Sequence, residues 1–478
     1  MKPTALLLLA ENRPLSLLVV AIAGYAVLAL GHSLAQWSYA VRFRREWVRE
    51  ELAYRRQARR PDGDRVASPA VDVIVPCYNE KPGILRACCE ALERQREQYP
   101  GPMHVWIVDD GSQTIAELEP VYQRYAALPE WTVLRHERNR GKRRAQDSAF
   151  QQGAGDYVIT VDSDTTLEAK CVARLVTAME RNRQAGAISG HVTARNRDVN
   201  RFTALVDRRY RFLFRQERAA QSWHKTVTCC SGPVSIYRRS VLVGIWRSYV
   251  EDTFLGRQRQ FGDDLKLSLL VIEQTHDSLY WPSAKGLTNV PEDLPGYAPQ
   301  QVRWNKSFYR ELPRAYRALR AHLRSPRFLE LRRARYLGPQ RARYLGLFGA
   351  HRYVRFELAA RALVPLLPQV LLAASVWSAM TGHDGIHRLP LLAVVAVMLA
   401  HGLVVGLQAG SWTFPLLYGP LHLVVLALVR LRALATLTDS RWGTRVAAET
   451  GVPALNAAPV TPGLAPRSPQ PAVERATP

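Results

Sequence analysis

Cysteine is scarce in this chain, with six residues among 478. Four of them form the adjacent pairs Cys88–Cys89 and Cys229–Cys230, a spacing that suits neither a disulfide within the pair nor a metal-ligand motif. The sequence therefore excludes a disulfide-rich secreted scaffold and a zinc module. We expect the domain that carries these cysteines to face a reducing compartment, the cytoplasm.

Charged side chains are missing from three long windows. No Asp, Glu, Lys or Arg occurs in Pro14–Val41, Ala362–His383 or Leu389–Val429. A bilayer-spanning helix needs about 20 apolar residues, and a charged residue at its centre costs about 2.5–3.5 kcal/mol. The windows therefore predict membrane segments, and the first is expected to be retained because no small-residue cleavage site follows it. Proline and glycine interrupt 412–433, which predicts a re-entrant or interfacial segment there.

Acidic residues are also in short supply, with 41 Asp and Glu against 65 Lys and Arg and a formal net charge of +24. The basic surplus lies beside the apolar windows, in particular at 42–60 and 332–355. This distribution follows the positive-inside rule and the attraction of basic segments to anionic lipid. We therefore expect membrane lipids and no nucleic acid as partners. The expected location is the plasma membrane, as a multi-pass protein with its soluble domain in the cytoplasm.

Between the apolar windows, short runs of β-branched residues alternate with helical patterns. The runs are "VDVIVPCYNE" from 71, "HVWIVDDGS" from 104 and "DYVITVDSD" from 156, and helical stretches lie at 81–98 and 142–152. This alternation predicts an α/β domain with a mostly parallel sheet and helices on both faces. Ligands bind at the carboxyl ends of the strands in such sheets, so the polar residues that end the three runs should converge on one cleft.

Composition also divides the rest of the chain. The stretch after the α/β domain is rich in Arg, Tyr and Leu, which is typical of amphipathic helices in a membrane interface, and the last stretch is rich in proline, which predicts disorder. The expected order is an N-terminal transmembrane helix at 1–41, a basic connector at 42–67, the α/β domain at 68–310, interface helices at 311–356, transmembrane or re-entrant helices at 357–437, a loop at 438–446 and a disordered tail at 447–478.

Two aspartates end the third β-branched run. Asp162 and Asp164 are two positions apart, so on a strand end their carboxylates point to one side. Two like charges held that close need a cation or strong hydrogen-bond donors. Oxygen ligands suit Mg²⁺ or Mn²⁺, and a diphosphate would complete the shell of ligands. For the D-x-D pattern alone, a solvated turn or a helix cap is the alternative.

The order of the motifs narrows these alternatives. "VPCYNE", "VDDGS", "RNRGKRRAQ" and "VDSD" are followed by "CCSGPVSIYRRSVL", "TFLGRQRQFGDD" and "QQVRWNKSFYREL". This ordered set resembles the family 2 glycosyltransferases, and within them the hyaluronan synthases, with the chitin-oligosaccharide synthases of nodulation systems as close relatives. The resemblance covers about 70–445. It implies a nucleotide-sugar-binding domain of the GT-A type joined to a transmembrane and interfacial α-helical domain.

The resemblance places a nucleotide sugar at the strand ends. Carboxylates there can accept hydrogen bonds from uracil or ribose, and basic side chains can meet the phosphates. The residues implied to bind the nucleotide sugar at these ends are Tyr78, Glu80, Asp109, Asp110, Lys142, Arg143 and Asp162. Those implied to hold Mg²⁺ or Mn²⁺ are Asp162 and Asp164.

The catalytic residues implied by the resemblance lie further along the chain. Asp264, which closes the G-D-D element beside Asp263, matches the general base that takes a proton from the acceptor hydroxyl as it attacks the anomeric carbon. The Q-x-x-R-W signature falls on Gln300, Arg303 and Trp304. It implies that Arg303 addresses the diphosphate and that Trp304 forms a platform for the acceptor sugar, with an interfacial membrane anchor as the alternative for the tryptophan.

Two further elements complete the implied site. "CSGP" implies that Cys230, Ser231 and Gly232 line the acceptor pocket, with Cys230 as a small wall residue. "DSRWGTR" resembles the W-G-T-R gate of class I hyaluronan synthases, which implies that Trp442 and Arg445 close over the UDP moiety. A juxtamembrane anchor is the alternative for this pair.

One position departs from the family pattern, which usually continues G-D-D-R. Here Asp264 is followed by Leu265 and Lys266, so the basic residue is displaced by one position. On a helix this displacement rotates the side chain by about 100°. The partner of the usual arginine is therefore expected to be lost or served differently.

The sequence thus predicts a membrane-embedded, processive, inverting glycosyltransferase that polymerises UDP-sugars and exports the growing polysaccharide. Hyaluronan, made from UDP-GlcNAc and UDP-GlcUA, is the leading product. A chitin-oligosaccharide or another β-glycan made from UDP-GlcNAc alone is the alternative. Two rivals are a non-processive transferase acting on a lipid phosphate, and a receptor or transporter whose soluble domain only binds nucleotides.

Overall fold

The structure, a computed structural model, describes residues 13–57, 68–323, 353–363, 366, 380 and 426–439. A π-helical turn spans Leu213–Arg218, and 353–363 is helical. The helices are α1 (Arg13–Gln57), α2 (Pro82–Gln98), α3 (Ile115–Ala126), α4 (Lys142–Gln152), α5 (Cys171–Arg181), α6 (Arg201–Phe212), α7 (Ala219–Trp223), α8 (Arg239–Val250), α9 (Asp263–Glu273), α10 (Leu294–Leu323) and α11 (Ala427–Ala435). The strands are β1 (Val71–Cys77), β2 (Met103–Asp109), β3 (Trp131–Arg135), β4 (Tyr157–Thr160), β5 (Thr166–Leu167), β6 (Ala185–Ala194), β7 (Ser235–Arg238), β8 (Thr253–Phe254), β9 (Arg257–Gln258) and β10 (Asp277–Thr288).

An eight-stranded sheet with the order β3-β2-β1-β4-β7-β6-β10-β5 lies at the centre of the α/β domain. Parallel pairs join β1 to β2, β2 to β3, β1 to β4 and β6 to β10. Antiparallel pairs join β7 to β4 and β6, and β5 to β10. Most of the strands therefore run in one direction, as predicted, but two reversed strands make the sheet a mixed one.

The periodicity of the sequence located the elements near the site well. The three predicted β-branched runs correspond to β1, β2 and β4, and the predicted helical stretches at 81–98 and 142–152 correspond to α2 and α4. In β1, Val73, Ile74 and Val75 are all fully buried. Because successive side chains on a strand point to opposite faces, this run shows that both faces of the sheet are covered.

Two long helices cross boundaries that composition had predicted. α1 runs through the boundary between 41 and 42, and α10 runs through the one between 310 and 311. None of the described helices has a stretch that is long and apolar enough to cross a bilayer. Most of the predicted 357–437 segment, the predicted loop from residue 440 onward and the predicted tail lie outside the described residues.

Register brings the predicted strand ends to one edge of the sheet. Cys77 at the end of β1 is opposite Asp109 at the end of β2, and the amide of Val161 after β4 donates to the carbonyl of Ile74. β7 is antiparallel to β4, and its first residue lies opposite Thr160. The residues that follow β1, β2 and β4 and those that precede β7 therefore share this edge, as the sequence predicted for the first three.

Candidate active site

Asp162 follows β4 at the sheet edge where these strand ends meet. The ammonium of Lys142, the first residue of α4, donates to its Oδ1 at 2.5 Å, and both side chains are partly exposed. Burial lowers the pKa of Lys142, but the carboxylates of Asp162, Asp263 and Asp264 raise it above its ordinary value on balance. The ammonium of Lys142 thus interacts with carboxylates from two distant parts of the chain.

Asp164 lies on the same loop in a less polar setting. Its Oδ1 accepts hydrogen bonds from the hydroxyls of Thr288 at 3.0 Å and Thr165 at 3.3 Å. Burial, the charge of Asp162 and the charge of Glu80 raise the pKa of Asp164 to about 6. Glu80 is tied to this loop because its Oε2 accepts from the hydroxyl of Ser163 at 2.9 Å. The charges of these three carboxylates therefore act on one another, and a metal ion shared by the two aspartates stays a prediction.

This donor set fits a divalent cation that a diphosphate helps to hold. It supplies hard oxygen ligands, and their mutual repulsion already raises one pKa, a cost that a cation would remove. Within the described part of the chain, no three acidic, histidine or cysteine side chains form a ready-made metal cage. Asp162 and Asp164 would therefore hold Mg²⁺ or Mn²⁺ together with substrate oxygens, and the ion would neutralise charge on the diphosphate.

The C-S-G-P element lies against this acidic cluster. A Cβ at Gly232 would come within 3.1 Å of Lys142 Nζ and 3.3 Å of Asp162 Oδ2, so this position needs a small residue. The backbone is fixed by two serine hydroxyls: Cys230 N donates to Ser268 at 2.7 Å, and Ser231 N donates to Ser189 at 3.3 Å. The thiol of Cys230 is fully buried, in keeping with the small wall residue that the sequence predicted.

The G-D-D element forms the N-terminus of α9. Gly262 has φ +84°, a left-handed conformation that glycine adopts without strain, and helical geometry begins at Asp263. Asp264 Oδ1 accepts from the amide of Leu265 at 2.8 Å, and its Oδ2 accepts from the thiol of Cys229 at 3.3 Å. Cys229 begins the four-residue stretch that ends at Gly232. This short stretch therefore connects Asp264 directly to the pair formed by Lys142 and Asp162.

Arg143 has a different contact from the one expected. Its Nε donates to Asp263 Oδ1 at 2.7 Å and its Nη1 to Asp252 Oδ2 at 2.8 Å, and the residue is only 4% exposed. The third nitrogen, Nη2, donates to the carbonyl of Phe261 at 3.4 Å. Because the protein's own oxygens occupy the whole guanidinium, we revise its predicted role from a phosphate ligand to a support for the G-D-D element.

Asp252, which sequence reasoning missed, is the centre of that support. Its Oδ1 accepts from Lys266 at 2.5 Å, and its Oδ2 faces both Arg143 and Arg259, the latter at 3.4 Å. Burial raises the pKa of Asp252, but Arg143, Lys266 and Arg259 lower it below its ordinary value on balance. The displaced basic residue Lys266 thus has a defined partner. The signal in the sequence was Asp252 itself, an acidic residue in the segment before G-D-D. The pattern alone does not distinguish such a residue from one in a surface turn.

The aspartates after β2 hold loops together. Asp109 Oδ2 accepts from the Tyr122 hydroxyl at 2.6 Å and its Oδ1 from the amide of Ser112 at 2.8 Å. Asp110 accepts from the amides of Arg140 at 2.9 Å and Gly141 at 2.7 Å, the residues that lead into α4. Both carboxylates are buried. A contact of either with the nucleotide stays a prediction, as it does for Tyr78, which directly follows β1.

α10 carries the Q-x-x-R-W signature. The indole of Trp304 is 39% exposed, and its ring centre lies 6.2 Å from that of Tyr210. Burial and the charge of Asp164, among other groups, raise the pKa of Tyr210, whereas Arg303 lowers it. The charge of Asp164 therefore acts on Tyr210, whose ring neighbours the indole of Trp304. Gln300 Oε1 accepts from the side-chain Nε2 of its neighbour Gln301 at 3.4 Å. Trp442 and Arg445 lie outside the described residues.

The family described as Glycosyl transferase family 2 matches residues 72–246. An N-acetylglucosaminyltransferase of Rhizobium meliloti (strain 1021) is 33% identical over 404 residues, covering 82% of this chain and 87% of that protein. One of Rhizobium sp. (strain N33) is 33% identical over 382 residues, covering 79% and 77%. One of Neorhizobium galegae is 38% identical over 268 residues, where this chain spans 61% of that protein's length.

Among solved structures, a mannosyltransferase from Pyrobaculum calidifontis in complex with GDP-Man and Mn²⁺ superimposes with a TM-score of 0.55. It is 19% identical, and the match covers 87% of this chain and 99% of that chain. At this identity the likeness shows the fold alone, which is the expected GT-A type. The relatives fit the chitin-oligosaccharide synthase alternative better than the leading expectation of a hyaluronan synthase.

Proposed function

Because the chain belongs to glycosyltransferase family 2 and is a glycosyltransferase, we propose that it transfers N-acetylglucosamine from UDP-GlcNAc to a sugar hydroxyl. Its product on this proposal is a chitin-oligosaccharide or a similar β-glycan built from this one donor. The observation that carries the proposal is the short Cys229–Gly232 stretch, which connects Asp264 to the Lys142–Asp162 pair. An inverting displacement needs a base on one side of the anomeric carbon and a diphosphate site on the other. The Cys229–Gly232 stretch has the proposed base at one end and the proposed diphosphate site at the other.

The proposed step is a single displacement. The acceptor hydroxyl oxygen forms a bond to the anomeric carbon, its proton passes to the carboxylate of Asp264, and the bond between that carbon and the β-phosphate oxygen breaks. The UDP that leaves takes the bonding electrons with it. Lys142 offers a positive charge at that end, and Asp162 and Asp164 would hold a divalent cation whose charge would offset that of the diphosphate.

The contacts of Asp264 hold the proposed base in position. The thiol of Cys229 donates to Asp264, and burial together with the charge of Asp264 raises the pKa of that thiol well above its ordinary value. A thiol that stays protonated holds the carboxylate in place without competing as a nucleophile.

A hyaluronan synthase is the second candidate, and one observation favours it. The "DSRWGTR" stretch resembles the gate of that group, whereas the curated relatives are N-acetylglucosaminyltransferases. The two candidates differ in whether UDP-GlcUA is also a substrate.

The test uses the full chain purified in detergent with Mg²⁺ or Mn²⁺. It is given UDP-GlcNAc alone, UDP-GlcUA alone and both together, and products are identified by mass spectrometry. GlcNAc oligomers from UDP-GlcNAc alone are expected. Product that requires both donors would instead establish the second candidate, and the absence of GlcNAc transfer in every mixture would overturn the proposal. Removing the divalent ion with EDTA should stop the reaction, and restoring it should recover the rate.

We further propose that the enzyme acts processively in the plasma membrane, with its catalytic domain in the cytoplasm, and exports the polysaccharide. This rests on the three windows without charge and on the basic segments beside them. A reporter fused after Thr438 should then lie on the cytoplasmic side. Finding it outside the cell would contradict the arrangement.

A further inference from the structure

One arginine of α10 contacts two segments that are far apart in the sequence. Arg310 donates from Nε and Nη2 to the carbonyl of Leu437, at 2.8 and 2.6 Å, and from Nη2 to the carbonyl of Asp439 at 2.8 Å. Its side chain is almost fully buried, with 4% of the residue exposed. Three bonds from a buried guanidinium to backbone carbonyls fix residues 437–439 against the helix.

The faces of the same guanidinium are covered by two aromatic rings. Its central carbon lies 4.8 Å from the ring centre of Phe261 and 5.1 Å from that of Phe254, distances typical of cation–π contacts. Phe261 directly precedes Gly262 and the two aspartates at the start of α9. Arg310 therefore contacts both residues 437–439 and the GDD loop, defined here as Phe261–Asp264.

The helix holds the GDD loop at a second point. A Cβ at Gly262 would lie 2.8 Å from the hydroxyl of Ser307, so the loop backbone packs directly on α10. Lys306 adds a contact to the C-terminal segment, donating to the carbonyl of Asp439 at 3.3 Å. Arg303, Lys306 and Arg310 are spaced by three and four residues, so they share one face of the helix. Residues 437–439 thus lie along the face that carries the Q-x-x-R-W arginine.

We propose that Arg310 is a positioning residue that fixes the GDD loop and residues 437–439 in one arrangement, so that the general base is in place only while that C-terminal segment is seated. The proposal rests on the function proposed above, since it treats Asp264 as the base. Arg310 contacts neither carboxylate of the loop in the structure and acts through the Phe261 ring. The segment it holds leads into the "RWGTR" stretch, which begins two residues after Asp439.

The first test measures order in the two segments and needs no activity. Hydrogen exchange is followed on the full chain for peptides covering 259–266 and 436–445, in Arg310→Gln and in Arg317→Gln, an exposed control on the same helix. Faster exchange in both peptides for Arg310→Gln, and in neither for the control, is expected. Faster exchange in only one peptide, or in neither, would overturn the coupling.

The second test measures transfer from UDP-GlcNAc. Arg310→Gln should lower kcat by about 10- to 100-fold, the scale of a misplacement of about 1 Å at a reacting group. Arg310→Lys should recover part of the loss, because an ammonium keeps the charge but neither the planar stacking nor the paired bonds. Phe261→Leu combined with Arg310→Gln should be no slower than the worse single variant. If the losses in kcat of the two single variants multiplied in the double variant, the two residues would act independently and the proposal would be overturned.

The two proposals fail in different ways. A wild-type chain without GlcNAc transfer would defeat the proposed function, and the exchange data would still decide the coupling. Should Arg310→Gln fail to fold, Arg310→Lys takes its place in both tests. It should raise exchange in both peptides to a smaller extent, and unchanged exchange in that variant would contradict the proposal.

Discussion

Arg143 on α4 and Asp263 at the start of α9 form a buried ion pair, with 2.7 Å between Nε and Oδ1, although 120 residues separate them in the chain. The neighbouring residues are Lys142, which faces Asp162, and Asp264, the proposed base. The pair therefore ties the end of the cleft that would hold the diphosphate to the end that would hold the acceptor. Its geometry sets the distance between the two halves of the reaction.

Replacing Arg143 should destabilise the fold. Arg143→Met leaves Asp263 and Asp252 buried with fewer positive partners, and removing one member of a buried pair costs about 3–5 kcal/mol. The free energy of unfolding, measured with denaturant, should fall by about that amount. Arg144→Met is the control, since Arg144 is partly exposed and should change it by less than about 1 kcal/mol. If Arg143→Met had normal stability and weaker UDP binding, the result would instead support the contact between Arg143 and phosphate that the sequence predicted.

Asp264→Asn should separate an enzyme from a nucleotide-binding protein. The amide cannot take the acceptor proton, so kcat should fall by about 10²- to 10⁴-fold, the usual contribution of a general base. UDP binding, measured by calorimetry, should persist because Lys142 and Asp162 are untouched. Asp198→Asn, at a carboxylate with 89% side-chain exposure, is the control and should leave both values unchanged. If Asp264→Asn transferred sugar at the normal rate, the base would have to be sought elsewhere.

Gly232→Ala tests the Cys229–Gly232 stretch, which we propose lies between donor and acceptor. The new methyl group would press on Lys142 Nζ and Asp162 Oδ2 at 3.1 and 3.3 Å, so these side chains must move by a few tenths of an ångström. We expect KM for the donor and the concentration of divalent ion needed for half-maximal rate to rise by roughly 3- to 10-fold. Gly244→Ala is the matched control, because a Cβ there meets nothing within 4 Å. If neither KM nor the required ion concentration changed in Gly232→Ala, the Cys229–Gly232 stretch would not border the donor.

The strands and helices around the cleft were predictable because they depend on local patterns. β1, β2 and β4 are runs of β-branched residues, and each ends in polar residues, so the convergence of Glu80, Asp162 and Asp164 followed from strand direction alone. The same reasoning cannot reveal that β7 is reversed. Its direction depends on the path of the chain from β6, not on the composition of the strand.

The contacts of the charged residues were not predictable in the same way. Asp252 lies 109 residues from Arg143 and 14 from Lys266, and only the fold shows that all three meet away from water. Lys142 and Arg143 are neighbours of the same charge, yet one is partly exposed in the cleft and the other is buried. On a helix adjacent side chains diverge by about 100°, so two positive charges at neighbouring positions serve two tasks. The sequence pattern shows the two cations but not which way each points.

Lys266 should make stability depend on pH in the alkaline range. Burial, followed by the charges of Arg314 and Arg259, lowers the pKa of Lys266 to about 8 despite the hydrogen bond to Asp252. The unfolded chain, with a lysine pKa of about 10.4, then binds more protons than the folded chain between about pH 8 and 10, so this group's contribution to stability rises with pH there. The unfolding free energy of the wild type minus that of Lys266→Met should therefore increase by about 1–3 kcal/mol from pH 7.5 to 10. A flat curve for Lys266→Met would mean that this lysine titrates normally and that Asp252 outweighs its burial.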